Sequence, residues 1–219
     1  MRQGTISFRG RDDKIAAIAS RLGDRFGESV LDVGCDRAGL RNYVRGRYHG
    51  VDRTPEADEE LDLEGGLPYA DRSFDTVVAL DVLEHLDSAH AVRDELFRVA
   101  DKMVVIGLPN LYEWRFRVAY SRGLPPSGKY EFPPDAPEDR HRWITSLESS
   151  RQFVAAGAEI GGFQISEELL GYYDYRRPVA RAVTAVGRSI GPRAAGLFAY
   201  HYTAAAERSP GAEGSNPRS

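Results

Sequence analysis

A carboxylate placed just before a glycine at the end of an apolar run is the first chemical signal in this chain. The run is Val30-Leu31-Asp32-Val33-Gly34-Cys35-Asp36, with Gly39 close behind. Glycine permits a backbone path that a Cβ would block, and it lets a ligand come close to the chain. Strand–turn–helix units of this kind bind nucleotides at the carboxyl edge of open α/β sheets, with backbone N–H groups aimed at the ligand. Many such units are also purely structural. Asp32 narrows the ligand, because a carboxylate there repels a pyrophosphate and suits a positively charged molecule. S-adenosylmethionine, with its ammonium and sulfonium, meets that demand better than NAD, and no clean G-x-G-x-x-G is present.

Three further groups extend the pattern. Asp52 closes a short apolar run 20 positions after Asp32. An acidic residue there can accept both ribose hydroxyls of an adenosine, the competing reading being a solvated loop aspartate. Asp62-Leu63 precedes Gly65-Gly66-Leu67-Pro68-Tyr69. The carboxylate can accept an adenine amino group while the leucine packs on the ring, or the pair is a loop with an apolar anchor. Leu80-Asp81-Val82-Leu83-Glu84-His85-Leu86 falls at the carboxyl end of the expected central strand. His85 titrates near neutral pH and is a candidate general base, though packing or capping the next helix accounts for it equally well. His141, in Asp139-Arg140-His141-Arg142-Trp143, is a second candidate base or a loop anchor.

The elements that must position these residues follow from periodicity. A helix is expected over 12–26, with Ile15, Ile18, Ala19, Leu22 and Phe26 on one face. Strands are expected at 29–33, 48–51, 76–80, 103–106, 163–169 and 197–206. Thr76–Leu80 is apolar throughout, as in a parallel strand covered on both faces. Further helices are expected at 40–45, at 89–100, and from a capping box at Thr145-Ser146-Leu147-Glu148 to Ala156, with Gly157 as its stop. The last expected helix, 178–190, is amphipathic through Val179, Val183, Val186 and Ile190, and either packs on the sheet or mediates a dimer. Arg53–Glu60 reads as a polar loop. Strands alternating with helices imply a Rossmann-like, doubly wound, mostly parallel sheet with helices on both faces.

Leu108–Arg142 breaks this rhythm with many aromatics and prolines, and reads as a short helix plus an ordered lid. Between Tyr112 and Tyr130 it carries Arg115, Arg117, Arg122 and Lys129 against Glu113 alone. Such a set can grip a carboxylate or phosphate, or form a solvated helix face. Glu84, Tyr112, Arg115 and Tyr130 are the candidate substrate residues. One domain is expected over 1–208, with the lid inserted at 108–142, and a polar, disordered tail over 209–219.

Composition removes several classes. With 219 residues, 42% hydrophobic and 28% charged, the chain can build one substantial core. A net charge of -4 argues against a nucleic-acid partner. A single cysteine excludes an internal disulfide and a C-x-x-C metal site, and no metal is expected. No apolar run reaches the ~18 residues of a membrane span. Met1–Gly10 lacks a signal-peptide core, so a cytoplasmic protein is expected.

VLDVGCD at 30–36 and DVLEHL at 81–86 resemble the class I S-adenosylmethionine-dependent methyltransferases, over roughly residues 28–170. The resemblance implies a seven-stranded sheet whose final hairpin strand is antiparallel. It implies that Asp32 and Gly34 line the methionine moiety, with Cys35 and Asp36 in the same turn. Asp52, with Arg53 beside it, would hold the ribose, Asp62 and Leu63 would flank the adenine, and Asp81 and Val82 would lie near the reaction centre. The turn departs from the family pattern in having Asp36 and Ala38 where glycine is usual. Asp36 either binds the cofactor's ammonium or impedes the cofactor. Leu108-Pro109-Asn110, Trp114-Arg115, Arg117, Gly123 and His141 are similar to a segment of methionine-biosynthesis methyltransferase-like proteins, which puts the insert over the site.

The expected activity is methyl transfer from S-adenosylmethionine to an oxygen or nitrogen of a small, acidic molecule, leaving S-adenosylhomocysteine. His85 and His141 are the expected catalytic residues, and the chain is expected as a monomer or homodimer without a membrane partner. Two other readings stand beside it: a non-catalytic protein on the same fold that regulates or scaffolds a partner, and a nicotinamide-dependent oxidoreductase.

Overall fold

The most apolar runs of the chain form the middle of the sheet. In the computed structural model, which describes residues 1–125, 128–135, 137, 139–190 and 194–208, β2 (Ser29–Val33) is buried along its whole length. Parallel to it on either side run β5 (Phe74–Leu80) and β3 (Arg47–Asp52). Beyond β3 the two-residue strand β4 (Glu59–Glu60) forms one edge. Beyond β5 lie β6 (Ala100–Pro109), β8 (His201–Arg208), β7 (Phe163–Tyr173) and β1 (Arg2–Phe8). Among the described residues the sheet has eight strands, ordered β1-β7-β8-β6-β5-β2-β3-β4. β8 runs antiparallel to both β6 and β7, and every other pairing is parallel.

The sheet is therefore the expected mostly parallel one with its antiparallel final strand, plus two strands that the apolar pattern does not mark. One is β4, at the end of the segment 53–60 expected as a polar loop, and the other is β1, where only Ile6 and Phe8 turn inward. Two alternating apolar residues in an otherwise polar segment are a weak strand signal.

Helices cover both faces. α1 (Arg11–Leu22) packs Ile15, Ile18, Ala19 and Leu22 against Val30, Val78, Leu80, Met103 and Leu169. Each large side chain so buried contributes about 1.5–3 kcal/mol. On the other face α2 (Ala89–Val99) and α4 (Leu147–Gly161) bury Val92, Leu96, Phe97, Val154 and Ala158.

Gly157 does not stop α4. It lies where a Cβ would meet the Phe97 ring at 2.6 Å, so its smallness serves helix packing, and the helix ends at Gly162 in the left-handed region, φ 74°. The capping box pairs Ser146 with Ser149 rather than with Glu148. The helix expected at 40–45 is a short 3-10 turn, Gly39–Tyr43, entered from Ala38 at φ 52°. The last strand begins at His201, and the short helix α6 (Ala195–Phe198) takes up its expected start.

Within 108–142, α3 (Trp114–Ser121) is helical, and Pro126, Ser127, Ala136 and Glu138 lie outside the described residues, as does the segment 209–219. α5 (Pro178–Ile190) packs the other way round from its expected apolar stripe. It buries Thr184 and Gly187, the latter against the Phe198 ring, while Val179, Val186 and Ile190 face outward. Among the described residues no helix is long and apolar enough to cross a membrane.

Candidate active site

The carboxyl ends of β2, β3 and β5 open into a cavity of about 920 Å³, within the size range of small-molecule and cofactor sites. At the end of β2 the chain turns at Gly34, φ 73°, where a Cβ would lie 2.5 Å from the Val82 side chain. The amides of Gly34 and Cys35 both donate to Val51 O, at 2.9 and 3.2 Å, tying the turn to β3. Asp36 and Ala38 adopt φ 47° and 52°. The departures from glycine thus keep a left-handed backbone, which a short polar side chain such as Asp36 tolerates better than most.

Asp52 holds this turn. Its Oδ2 accepts the Asp36 amide at 2.8 Å and its Oδ1 the Arg53 amide at 2.6 Å. Arg53 reaches across to pair with Asp62, whose Oδ1 also accepts the Glu64 amide at 3.1 Å. Leu63 is buried and lines the cavity, and Gly34, Asp36, Asp52, Arg53 and Val82 line it with Leu63. Asp62 stands outside that lining, exposed beside Arg53.

Asp32 and Cys35 also stand outside it. Asp32 is 5% exposed, and its Oδ2 accepts the Tyr48 hydroxyl at 2.6 Å. Burial raises its pKa to about 6, offset in part by that hydrogen bond. Cys35 is buried, and burial followed by the Asp32 and Asp52 charges pushes its thiol up to about 12. Both residues support the turn from beneath, facing a small pocket shared with Ile15 and Leu40.

At the end of β5, Asp81 takes φ 56° and its amide donates to Gly107 O at 3.0 Å. One carboxylate oxygen pairs with Lys14 of α1. The other lies 2.8 Å from Nε2 of His201 in β8. His201 is fully buried and held well below the usual imidazole range by that burial, so it is neutral and donates from Nε2.

Glu84, His85 and His141 converge in a further stretch of the lining. Glu84 is 2% exposed, its Oε2 has no hydrogen-bond partner, and burial raises its pKa to about 7. The rings of His85 and His141 lie 4.4 Å apart, edge to face. Burial, then the Lys129 charge, lowers His85. Burial, then His85 and Lys129, lowers His141 to about 4. Tyr130 lies 2.7 Å from His141 Nδ1 through its hydroxyl.

Tyr112 and Arg115 do not line the cavity. Tyr112 is largely exposed, and Arg115 lies over the Tyr175 ring at 4.2 Å with its Nε on Glu113. Arg115 is therefore held at the base of its own helix, whereas Lys129 of the same basic set does line the cavity. The basic residues that line the cavity are Arg11, Lys14, Arg53, Lys129, Arg140 and Arg142. Arg11 pairs with Asp36. Nothing in the local pattern marks Arg11, Lys14 or His201, because each meets its partner only across the folded sheet.

A family model described as "MetW: Methionine biosynthesis protein MetW" matches residues 16–131. No curated protein matches the sequence. Among solved structures, magnesium protoporphyrin IX methyltransferase from Synechocystis PCC 6803, with bound SAH, is 18% identical at a TM-score of 0.58, covering 90% of this chain and 83% of its own. A possible histamine N-methyltransferase from Thermotoga maritima is 11% identical at a TM-score of 0.53, covering 89% of each chain. The [4+2]-cyclase SpnF is 16% identical at 0.55, covering 91% of this chain and 81% of its own. The fold is that of the class I S-adenosylmethionine-dependent methyltransferases.

Proposed function

The chain belongs to the MetW family, and from that premise we propose that it transfers a methyl group from S-adenosylmethionine to an oxygen or nitrogen of a small, acidic molecule. The observation that carries the reading is one cavity whose lining holds two unlike groups, termed its two walls: Gly34, Asp36 and Asp52 form one, and Glu84, His85 and His141 the other.

The first wall suits the cofactor. Gly34 leaves room that a Cβ would fill against Val82. Asp36 would take the ammonium, Arg11 the carboxylate, and Asp52 the ribose hydroxyls. Leu63 and Val82 would pack against the adenine and the sulfonium end, with Asp62 near the adenine amino group. The cofactor, when bound, supplies a methyl already activated on sulfur, so orientation and exclusion of water are what remain for the protein. Residues 108–142 serve as the lid that excludes it.

On the second wall the imidazoles of His85 and His141 are neutral near pH 7 and present lone pairs to the acceptor. Lys129, Arg140 and Arg142 would hold a carboxylate or phosphate on it. The chain acts as a monomer or homodimer in the cytoplasm, with no nucleic-acid or membrane partner.

One observation favours a second reading. Asp36 and Asp81 already carry the cations Arg11 and Lys14. A protein so self-paired could keep the fold as a regulatory or scaffold partner without turnover. Thermal unfolding with S-adenosylmethionine, S-adenosylhomocysteine and NAD, each near 100 times its dissociation constant, separates the readings. Binding at that excess adds about 2.7 kcal/mol and raises the midpoint by roughly 5–10 °C. A shift with the first two and none with NAD is expected. No shift with either sulfur ligand overturns the methyltransferase reading and leaves the second.

A further inference from the structure

We propose that Glu84, His85 and His141 form a seat for one divalent transition-metal ion whose open coordination positions face the cavity. Each residue offers one ligand atom, and the three atoms lie within 4.8 Å of one another. Glu84 Oε1 and His85 Nε2 are 3.9 Å apart. Atoms so spaced can close around a single ion at about 2.0–2.2 Å each with small side-chain rotations.

The hydrogen bonds around the cluster set both tautomers. His85 Nδ1 lies 3.1 Å from Arg140 O and 3.0 Å from Asp139 Oδ1. A carbonyl and a carboxylate only accept, so Nδ1 carries the proton and Nε2 is left with a lone pair. The Tyr130 hydroxyl donates its one proton to Trp143 O at 2.9 Å. It must then accept from His141 Nδ1, which leaves the Nε2 of His141 bare as well. Metal-ligating histidines are commonly held in this way, with the other ring nitrogen donating to an oxygen.

The consequence is a concentration of acceptors without a donor, Glu84 buried and the two histidines partly exposed to the cavity. Glu84 Oε2 has no partner, and its side chain is 1% exposed. A buried carboxylate beside two bare imidazole nitrogens is satisfied when a proton or a cation sits between them. Of the cations around the cluster, Lys129 is already paired with Asp139 at 2.8 Å and Lys14 with Asp81.

Two nitrogens and one carboxylate suit manganese, iron, cobalt or zinc rather than magnesium or calcium, which favour oxygen ligands throughout. All three ligands line the cavity. The free positions are therefore available to a bound molecule, and an acceptor with adjacent hydroxyl or carboxylate oxygens would chelate there. That clause about the acceptor rests on the proposed methyl transfer, whereas the seat itself does not. It departs from the expectation, drawn from the lone cysteine, that the site is metal-free.

The test is titration of the chelator-treated full chain with Co²⁺, read by visible ligand-field absorption and by calorimetry. One Co²⁺ per chain is expected. Glu84→Gln and His141→Gln should each weaken it at least 100-fold. Tyr130→Phe, which removes the hydroxyl that orients His141, should weaken it about tenfold. His49→Gln, at a separate histidine, should leave it unchanged. No stoichiometric binding by the native chain, or equal binding by native chain and variants, overturns the proposal. The Tyr130→Phe shift keeps the test decisive if a Glu84 variant does not fold. Co²⁺ binding without a thermal shift from S-adenosylhomocysteine would uphold the seat and reject the methyltransferase reading, and the reverse pattern would do the opposite.

Discussion

Lys14 and Asp81, one on the first helix and the other just past the central strand, form an ion pair in which the lysine is almost fully buried. The second oxygen of Asp81 is engaged by His201. The lysine is buried, which lowers its pKa to about 7, but Asp81 is partly exposed, so removing the lysine leaves a partly solvated carboxylate at a cost of about 1–3 kcal/mol. Lys14→Met should therefore lower the unfolding midpoint by roughly 2–12 °C. The double variant Lys14→Met with Asp81→Asn should recover part of the loss, since asparagine keeps the left-handed backbone at 81. Thermal unfolding checks both, and an unchanged midpoint in the single variant would show that the pair contributes nothing.

Arg11 and Asp36 form a more exposed pair at the mouth of the cavity. Such pairs contribute about 0–1 kcal/mol to stability, so Arg11→Ala should barely move the midpoint. Its effect on ligand is the informative quantity. If Arg11 meets the cofactor's carboxylate, S-adenosylhomocysteine should bind about tenfold more weakly, a loss of about 1.4 kcal/mol. Tighter binding in calorimetry would show that Arg11 instead occupies the place of the ligand's ammonium, as the non-catalytic reading requires.

Gly34→Ala tests the turn itself. The residue is at φ 73° and its Cβ would press on Val82. Left-handed strain of about 1–2 kcal/mol adds to displacement of Val82, which lines the same cavity. Stability should fall by about 2 kcal/mol and affinity for S-adenosylhomocysteine by at least tenfold. Retained affinity would mean that the cofactor does not approach the chain at this glycine.

Asp32→Asn carries a pH signature. Burial raises the folded pKa of Asp32 from 3.8 to about 6. Stability from this group is full below its unfolded value and is lost as the pH climbs through 6, because the fold disfavours the charged form. Asparagine still accepts the Tyr48 hydroxyl and has no charge to bury. At pH 8 the variant should be more stable than the native chain by about 3 kcal/mol, taking 1.36 kcal/mol per pKa unit. At pH 4 the two should be nearly level. Denaturant unfolding at the two pH values decides it, and a gap that does not grow with pH would refute the assignment.

The strands themselves were legible where the chain writes continuous apolar runs, as in Thr76–Leu80, because a strand covered on both faces has no polar side to disguise it. Gly157 and Val186 misled for a shared reason: local spacing cannot tell a helix stop from a close crossing, or an inward stripe from an outward one. Gly157 is set by Phe97, and α5 turns on Gly187 against Phe198. In the site, Asp36, Asp52, Glu84, His85 and His141 could be picked out because each sits at a strand end or in a polar loop. Their partners Arg11 and Lys14 could not, since each meets its carboxylate only once the first helix has packed on the sheet. Asp32 and Cys35 stand beneath the turn rather than in the cavity, a distinction set by side-chain direction at the end of β2.

The insertion of β8 between β6 and β7 has a consequence for how this molecule comes into being. The β1–β7 pair joins the rest of the sheet only through β8, whose last residue is Arg208. On a ribosome, the first strand would wait until β8, about 200 residues later in the chain, had emerged before its half of the sheet could dock. His201, which completes the Lys14–Asp81–His201 cluster, arrives at the same late moment. The wall of the cavity is thus among the last parts to be assembled, and a nascent chain carrying the glycine turn, Asp52 and the Glu84–His85 turn would still be unable to enclose a ligand.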